Sequence, residues 1–231
     1  MKRWILFTSI VLLVSPLAFS QAVGIFEGQV SIGDDNGAGS AAFANGVYDI
    51  VGSGNDIWGS SDGCYYVYSV VTGPFLITAE VNWEMSGPRD GDEWKKAGLM
   101  ARDSVDYPDD PSATHATGII IRSQGSNLER RLDYSGGSQD IEVQEKRSDE
   151  TNVIQLMRIG NVFTMLRGLT DGTFRVIGST EVPMADKILV GLVVTSHDTS
   201  TTERAFFKNV TLQLLGASVT VTRTIPSYKV E

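Results

Sequence analysis

From residue 24 onward, apolar and polar positions alternate in short runs separated by turn clusters. In "FLITAEVNWE", Ile77, Ala79, Val81 and Trp83 alternate with Thr78, Glu80, Asn82 and Glu84. A period of two sends successive side chains to opposite faces of a strand, so one set meets a core and the other an outer surface. Eleven further runs read as strands: "GVYDIVG", "CYYVYSVV", "AGLMAR", "TGIIIRS", "LERRLDY", "IEVQEKR", "NVIQLMRIG", "VFTMLRG", "FRVIGSTEV", "ILVGLVVTS" and "ERAFFKNVTLQLL". Turn signals separate most of them, among them Gly54-Asn55, Thr72-Gly73-Pro74, Gly125-Ser126-Asn127, Gly136-Gly137, Gly160-Asn161 and the hairpin dipeptide Asp171-Gly172. Helical periodicity of useful length is missing. The pattern predicts an all-β fold, an antiparallel two-sheet β-sandwich of the jelly-roll kind.

The first residues break this rhythm. Lys2 and Arg3 precede an apolar run from Trp4 to Phe19, and Ala18-Phe19-Ser20 offers small residues before Gln21. That is a signal peptide, so residues 1–20 are expected to be cleaved near Ser20-Gln21 and the protein secreted, extracellular or periplasmic. No later run is long and apolar enough to span a membrane. Loss of Lys2 and Arg3 takes the formal charge from −9 to −11, which disfavours nucleic acid and anionic lipid as partners. The single cysteine, Cys64, excludes an intramolecular disulfide and reads as small core filler.

Several phrases then occur together: "GSGNDIWGSSD" followed by "YYVYS", "WKKAGLMARDS", "RIGNVFT", "TDGTF", "VGLVVTSHD" and "AFFKNV". In these the chain resembles secreted bacterial modules of the concanavalin A-like lectin/glucanase superfamily, LamG-like and of the "regulation of enolase" related type. The resemblance covers residues 24–215. It implies a jelly roll over residues 21–215, carried as part of a larger extracellular or surface protein, with carbohydrate as the inferred ligand. Departures are Cys64 where an aromatic is usual, Phe174 where Trp is usual, and Lys208 where an acid is usual. The tail, 216–231, resembles the opening of a further β-domain, as in a truncated chain.

Catalysis finds little support. Retaining glycosidases need two carboxyls about 5–5.5 Å apart. The strand motif Glu80-x-Asn82-x-Glu84 lacks the middle acid, and its outer alpha carbons lie roughly 13 Å apart. Ser196, His197 and Asp198 are adjacent in sequence, so they do not converge as a triad on a strand.

Binding candidates are more numerous. Trp58 reads either as a sugar platform with Asp56 and Asp62 as acceptors, or as a cap on the core at a strand corner; the second reading is preferred. Trp94 poses the same choice. Arg102, Arg122 and Arg158 are candidates for a shared row that would suit uronic or sulfated sugars, although pairing with acids within the chain is the preferred reading. His197 is a structural or ligand-facing residue. No cofactor is expected; "GDDNG" (33–37) and "DSVDYPDD" (103–110) are candidates for a structural calcium. The sequence reading is therefore a non-catalytic module binding polysaccharide or other glycan, with a structural spacer as the alternative and a glycosidase third.

Overall fold

A computed structural model describes residues 22–83, 94–121 and 125–216. Residues 1–21, where the signal peptide is expected, 84–93 with Glu84, 122–124 with Arg122, and the tail from 217 lie outside the described residues. The described residues contain no helix. Their strands are β1 (Gly28–Ile32), β2 (Ser40–Ala44), β3 (Val47–Gly54), β4 (Ile57–Trp58), β5 (Ser61–Asp62), β6 (Cys64–Thr72), β7 (Phe75–Trp83) and β8 (Lys96–Arg102). There follow β9 (His115–Ile121), β10 (Ser126–Arg131), β11 (Gln139–Gln144), β12 (Glu150–Ile159), β13 (Val162–Leu169), β14 (Phe174–Glu181), β15 (Lys187–Thr195) and β16 (Asp198–Leu214). Each of the twelve runs read as strands forms one. Of the expected turn Gly125-Ser126-Asn127, Gly125 closes the turn by accepting from Ile121 N–H at 3.1 Å, whereas Ser126 and Asn127 already open β10.

Two antiparallel seven-stranded sheets stack. The first has the order β1-β6-β15-β8-β9-β10-β11 and the second β14-β13-β12-β7-β16-β3-β2. Alternation fixes which side chains meet. Ile77, Ala79, Val81 and Trp83 of β7 are buried, together with Ile50, Leu156 and Phe207, against Val67, Leu99, Ile120 and Leu192 of the first sheet. This is the inter-sheet core, and removal of apolar area from water drives its assembly.

The first sheet is unusual in being apolar on its outer face too. Ile32, Cys64, Tyr66, Met100, Ile119, Leu189 and Val193 form a second buried cluster there, with Ile57 from β4 and Val105 packed over it. Burial on both faces explains why β8, β9 and β15 read as nearly continuous apolar runs rather than alternating ones. Cys64 is core filler, but in this outer cluster, and burial pushes its thiol pKa far up.

What covers the outer face is the corner "NDIWGSSD". β4 and β5 pair as a miniature hairpin, Ile57 opposite Asp62 and Trp58 opposite Ser61. Gly59 takes φ 56° at the first of the two linking positions, as a primed hairpin turn requires. The corner is drawn close to its own entry strand. Gly54, at φ 118°, packs so tightly on Gly63 that an added Cβ would lie 2.2 Å from the Gly63 carbonyl carbon. Only glycine tolerates both that angle and that approach.

Candidate functional site

Polar residues interrupt the outer face at period two. On β8 the face carries Lys96, Gly98, Met100 and Arg102, and in register on β9 it carries Ile121, Ile119, Thr117 and His115. β10 adds Asn127, Glu129 and Arg131, with Asp140 of β11 the register partner of Glu129. These groups divide into two networks, one closed and one open.

The closed network centres on Asp62. Its carboxylate bonds Arg131 through Nη2 at 2.7 Å and Nη1 at 3.0 Å, and also bonds Arg102 Nη1. All three side chains are wholly buried. Other guanidinium N–H groups donate to the carbonyls of Trp58, Gly59, Asp110, Pro111 and Ala113, while Arg102 Nε meets no acceptor among the described residues. The arginines thereby clip the β4–β5 hairpin and the 103–114 segment onto the sheet. Burial alone would push the Asp62 carboxyl up, but His115 when charged, Arg102 and Arg131 outweigh it and hold its pKa below the ordinary value. Burial also holds His115 down to about 3, so near neutral pH the two arginines alone supply the countercharge. The neutral imidazole lies 2.9 Å from Thr117 Oγ1.

The open network lines a cleft of about 330 Å³ bordered by Asp56, Trp58, Trp94, Lys96, Glu129, Asp140 and His197. Volumes of roughly 300–1,000 Å³ hold small ligands. Asp56 Oδ1 accepts from Ile57 N–H at 2.7 Å and from Lys96 Nζ at 2.5 Å. Its Oδ2 lies 3.3 Å from His197 Nε2. Lys96 Nζ also lies 3.1 Å from Glu129 Oε1 and 5.7 Å from the centre of the Trp58 ring. Burial would lower the Lys96 pKa, but Glu129 and Asp56 reverse this and keep the ammonium charged. Glu129 moves the other way: burial, reinforced by Asp56 and Asp140 against the pull of Lys96, raises its carboxyl pKa to about 8.

The sequence-derived candidates therefore separate. Asp56, Trp58, Trp94 and His197 converge on the cleft. Trp58 and Trp94 are 39% and 41% exposed, so the reading of Trp58 as a cap on the core is corrected: Ile57, its neighbour, is the buried member of the corner. Asp62 and Arg102 do not face the cleft; each is the other's buried partner. The shared arginine row is not formed by its described members. Arg102 lies on β8 in the first sheet, whereas Arg158 lies on β12 in the second. There the Arg158 guanidinium donates to the carbonyls of Gly160, Met184, Ala185 and Asp186. Arg122 lies outside the described residues.

The other motifs have local partners within the fold. Glu80 lies on the second sheet, with Oε1 accepting from Asn82 and Oε2 from Asn209, both at 3.1 Å; its expected partner Glu84 lies outside the described residues. Ser196 is buried with its hydroxyl on the Asp198 and Thr201 carbonyls, turned to backbone rather than to His197. In the two acidic loops, Asp35 accepts from Gly37 N–H and Asp110 from Ser112 N–H, which are turn contacts, and Asp34 accepts from Asn55 N–H beside the β4–β5 corner. Among the described residues no group of three or more His, Cys, Asp or Glu side chains converges to hold a metal ion.

Lys96, Glu129, Asp140 and the clip residue Arg131 were not singled out by the sequence reading. For Lys96 the signal was present: with Arg102 it brackets Gly98 and Met100 on one face of the otherwise apolar "KAGLMAR". Such a residue must have a partner or line an opening.

No family model matches the chain, and no curated protein matches it. Solved structures do. A functionally unknown protein from Saccharomyces cerevisiae matches with a TM-score of 0.58 at 15% identity, over 77% of this chain and 93% of that one. The carbohydrate-binding module CBM66 from Bacillus subtilis matches with a TM-score of 0.54 at 14% identity, over 84% of this chain and 100% of that one. Basic winged bean lectin, solved with Tn-antigen, matches with a TM-score of 0.50 at 10% identity, over 83% and 97%. The fold is a concanavalin A-like jelly roll. With so little sequence identity the likeness concerns architecture, and any function has to come from the cleft itself.

Proposed function

We propose that this chain is a carbohydrate-binding module whose ligand enters the cleft between the β4–β5 hairpin and the start of β8. The observation that carries the reading is the pairing of two partly exposed tryptophans, Trp58 and Trp94, with a buried charged floor in a single cleft. Indole faces cover the apolar side of a sugar ring, while Asp56, Glu129 and Asp140 offer acceptors to its hydroxyls. That other jelly rolls of similar architecture are a carbohydrate-binding module and a lectin supports the reading. So do the phrases shared with secreted modules of the "regulation of enolase" related type, and export after removal of residues 1–20 belongs to the same proposal, as does service within a larger extracellular protein. The module binds without cleaving.

A glycan array probed with the mature protein, with and without calcium, tests this. Retention on at least one polysaccharide class is expected. Failure to bind any glycan in either condition, by protein shown to be folded, would favour a structural spacer. Release of reducing sugar from a bound polysaccharide would refute the non-catalytic part.

A further inference from the structure

At and beside the floor of the cleft lie side-chain oxygens that no donor among the described residues satisfies. Glu129 is wholly buried; its Oε1 takes Asn127 Nδ2 at 2.7 Å and Lys96 Nζ at 3.1 Å, while its Oε2 meets no donor among the described residues. Asn127 is buried beside it, with Nδ2 divided between Glu129 and Asp140 Oδ1 at 2.8 Å and its own Oδ1 without a donor. A buried acceptor without a donor costs desolvation that a ligand's donor can restore.

The charges point the same way. Three carboxyl groups, Asp56, Glu129 and Asp140, line the cleft with Lys96, whose ammonium is already bonded to Asp56 and Glu129. An incoming carboxylate or sulfate would face those acids and a lysine held by two of them. An ammonium brings three donors and the opposite charge. Tryptophan faces attract cations as well, within about 6 Å of the ring centre. The formal net charge of −9 adds a long-range field of the favourable sign.

Resting on the carbohydrate reading above, we propose that the sugar bound here is an amino sugar, its ammonium received by Glu129 and Asp140 and its ring by Trp58 and Trp94. This reverses the preference for acidic sugars that a row of arginines would have given, since Arg102 and Arg158 are bonded elsewhere. Burial first, then Asp56 and Asp140, raise the Glu129 pKa to about 8, so near pH 6 in the free protein this carboxyl holds a proton that the incoming ammonium displaces.

The test compares three tetrasaccharides by calorimetry with the mature protein at about pH 6, where an alkylamine is charged. They are β-1,4-linked glucosamine, the same chain fully N-acetylated, and a tetragalacturonate. Acetylation removes the charge and leaves the ring. The glucosamine tetramer is expected to bind at least about tenfold more tightly than either of the others. Asp140→Asn, at an exposed position that tolerates the change, and Glu129→Gln should each abolish most of that preference. Equal or tighter binding of the acetylated or acidic tetramer would overturn the inference and leave the carbohydrate reading standing. A preference that survives Asp140→Asn and a folded Glu129→Gln would overturn the assignment to these acids. If none of the three binds, the amino-sugar inference falls, and the glycan array decides whether the carbohydrate reading falls with it.

Discussion

Asp62→Asn is expected to lower the thermal midpoint more than any other single polar substitution in this protein. It leaves Arg102 and Arg131 wholly buried beside a neutral amide. Breaking a buried charge network by removing one partner costs about 3–5 kcal/mol. In a domain of this size each kcal/mol moves the midpoint by about 2–4 °C, so a fall of roughly 6–20 °C should appear in thermal unfolding followed by circular dichroism. Asp49→Asn is the matching control. Its partner Arg204 is 40% exposed, and exposed pairs contribute about 0–1 kcal/mol. The pH dependence has a definite sign. Asp62 has a folded pKa below its unfolded value, so its contribution is complete above the unfolded pKa and is lost as pH falls through the folded one. The difference between wild type and variant should therefore persist at mildly acidic pH and shrink only below about pH 4. A variant within 2 °C of wild type, a threshold of roughly 1 kcal/mol, would show that the clip does not hold the corner.

Trp58→Ala should do the opposite: leave the fold nearly intact and remove binding. Trp58 is 39% exposed, and its ring contacts include Lys96 at 5.7 Å, a cation–π contribution of about 0.5–1 kcal/mol at such a site. Stability should fall by about 1 kcal/mol or less. Affinity for the bound glycan should fall by roughly 30-fold or more, as when an aromatic anchor worth at least about 2 kcal/mol is truncated. Trp94→Ala should behave likewise. Trp83→Ala provides the contrast, because this ring is buried in the inter-sheet core and its removal should cost about 3–5 kcal/mol. Unchanged affinity in a folded Trp58→Ala protein would take the indole out of the site.

Strand positions were legible in the sequence because period-two alternation is local. β7 shows it in full, and the glycines that turn β12 into β13 and β13 into β14 stand where the hairpins need them. Legibility failed where the outcome depended on partners distant in sequence. Nothing near Asp62 shows that Arg102 and Arg131, 40 and 69 residues away, would enclose it while Asp56 stayed at the cleft. The two aspartates of "DIWGSSD" look equivalent, and only the pairing of Ile57 with Asp62 sends one inward. The arginine row failed for a related reason. Period two identifies the face of a strand, but which sheet that strand joins is set by pairing across the whole chain. Glu129 went unnoticed because "LERRLDY" looks like a solvated, charged strand until a second layer covers its outer face.

The account's central claim is that the cleft beside the β4–β5 hairpin is the carbohydrate site. The most direct measurement follows the indole N–H resonances of the mature protein by nuclear magnetic resonance while the bound glycan is added. With residues 1–20 absent three indoles remain, Trp58, Trp83 and Trp94, and replacement of each by Phe assigns them. Saturable shifts of the Trp58 and Trp94 resonances, with that of Trp83 unmoved, are the expected result. Saturable binding that leaves both the Trp58 and Trp94 resonances in place would contradict the claim and put the ligand elsewhere on the sandwich.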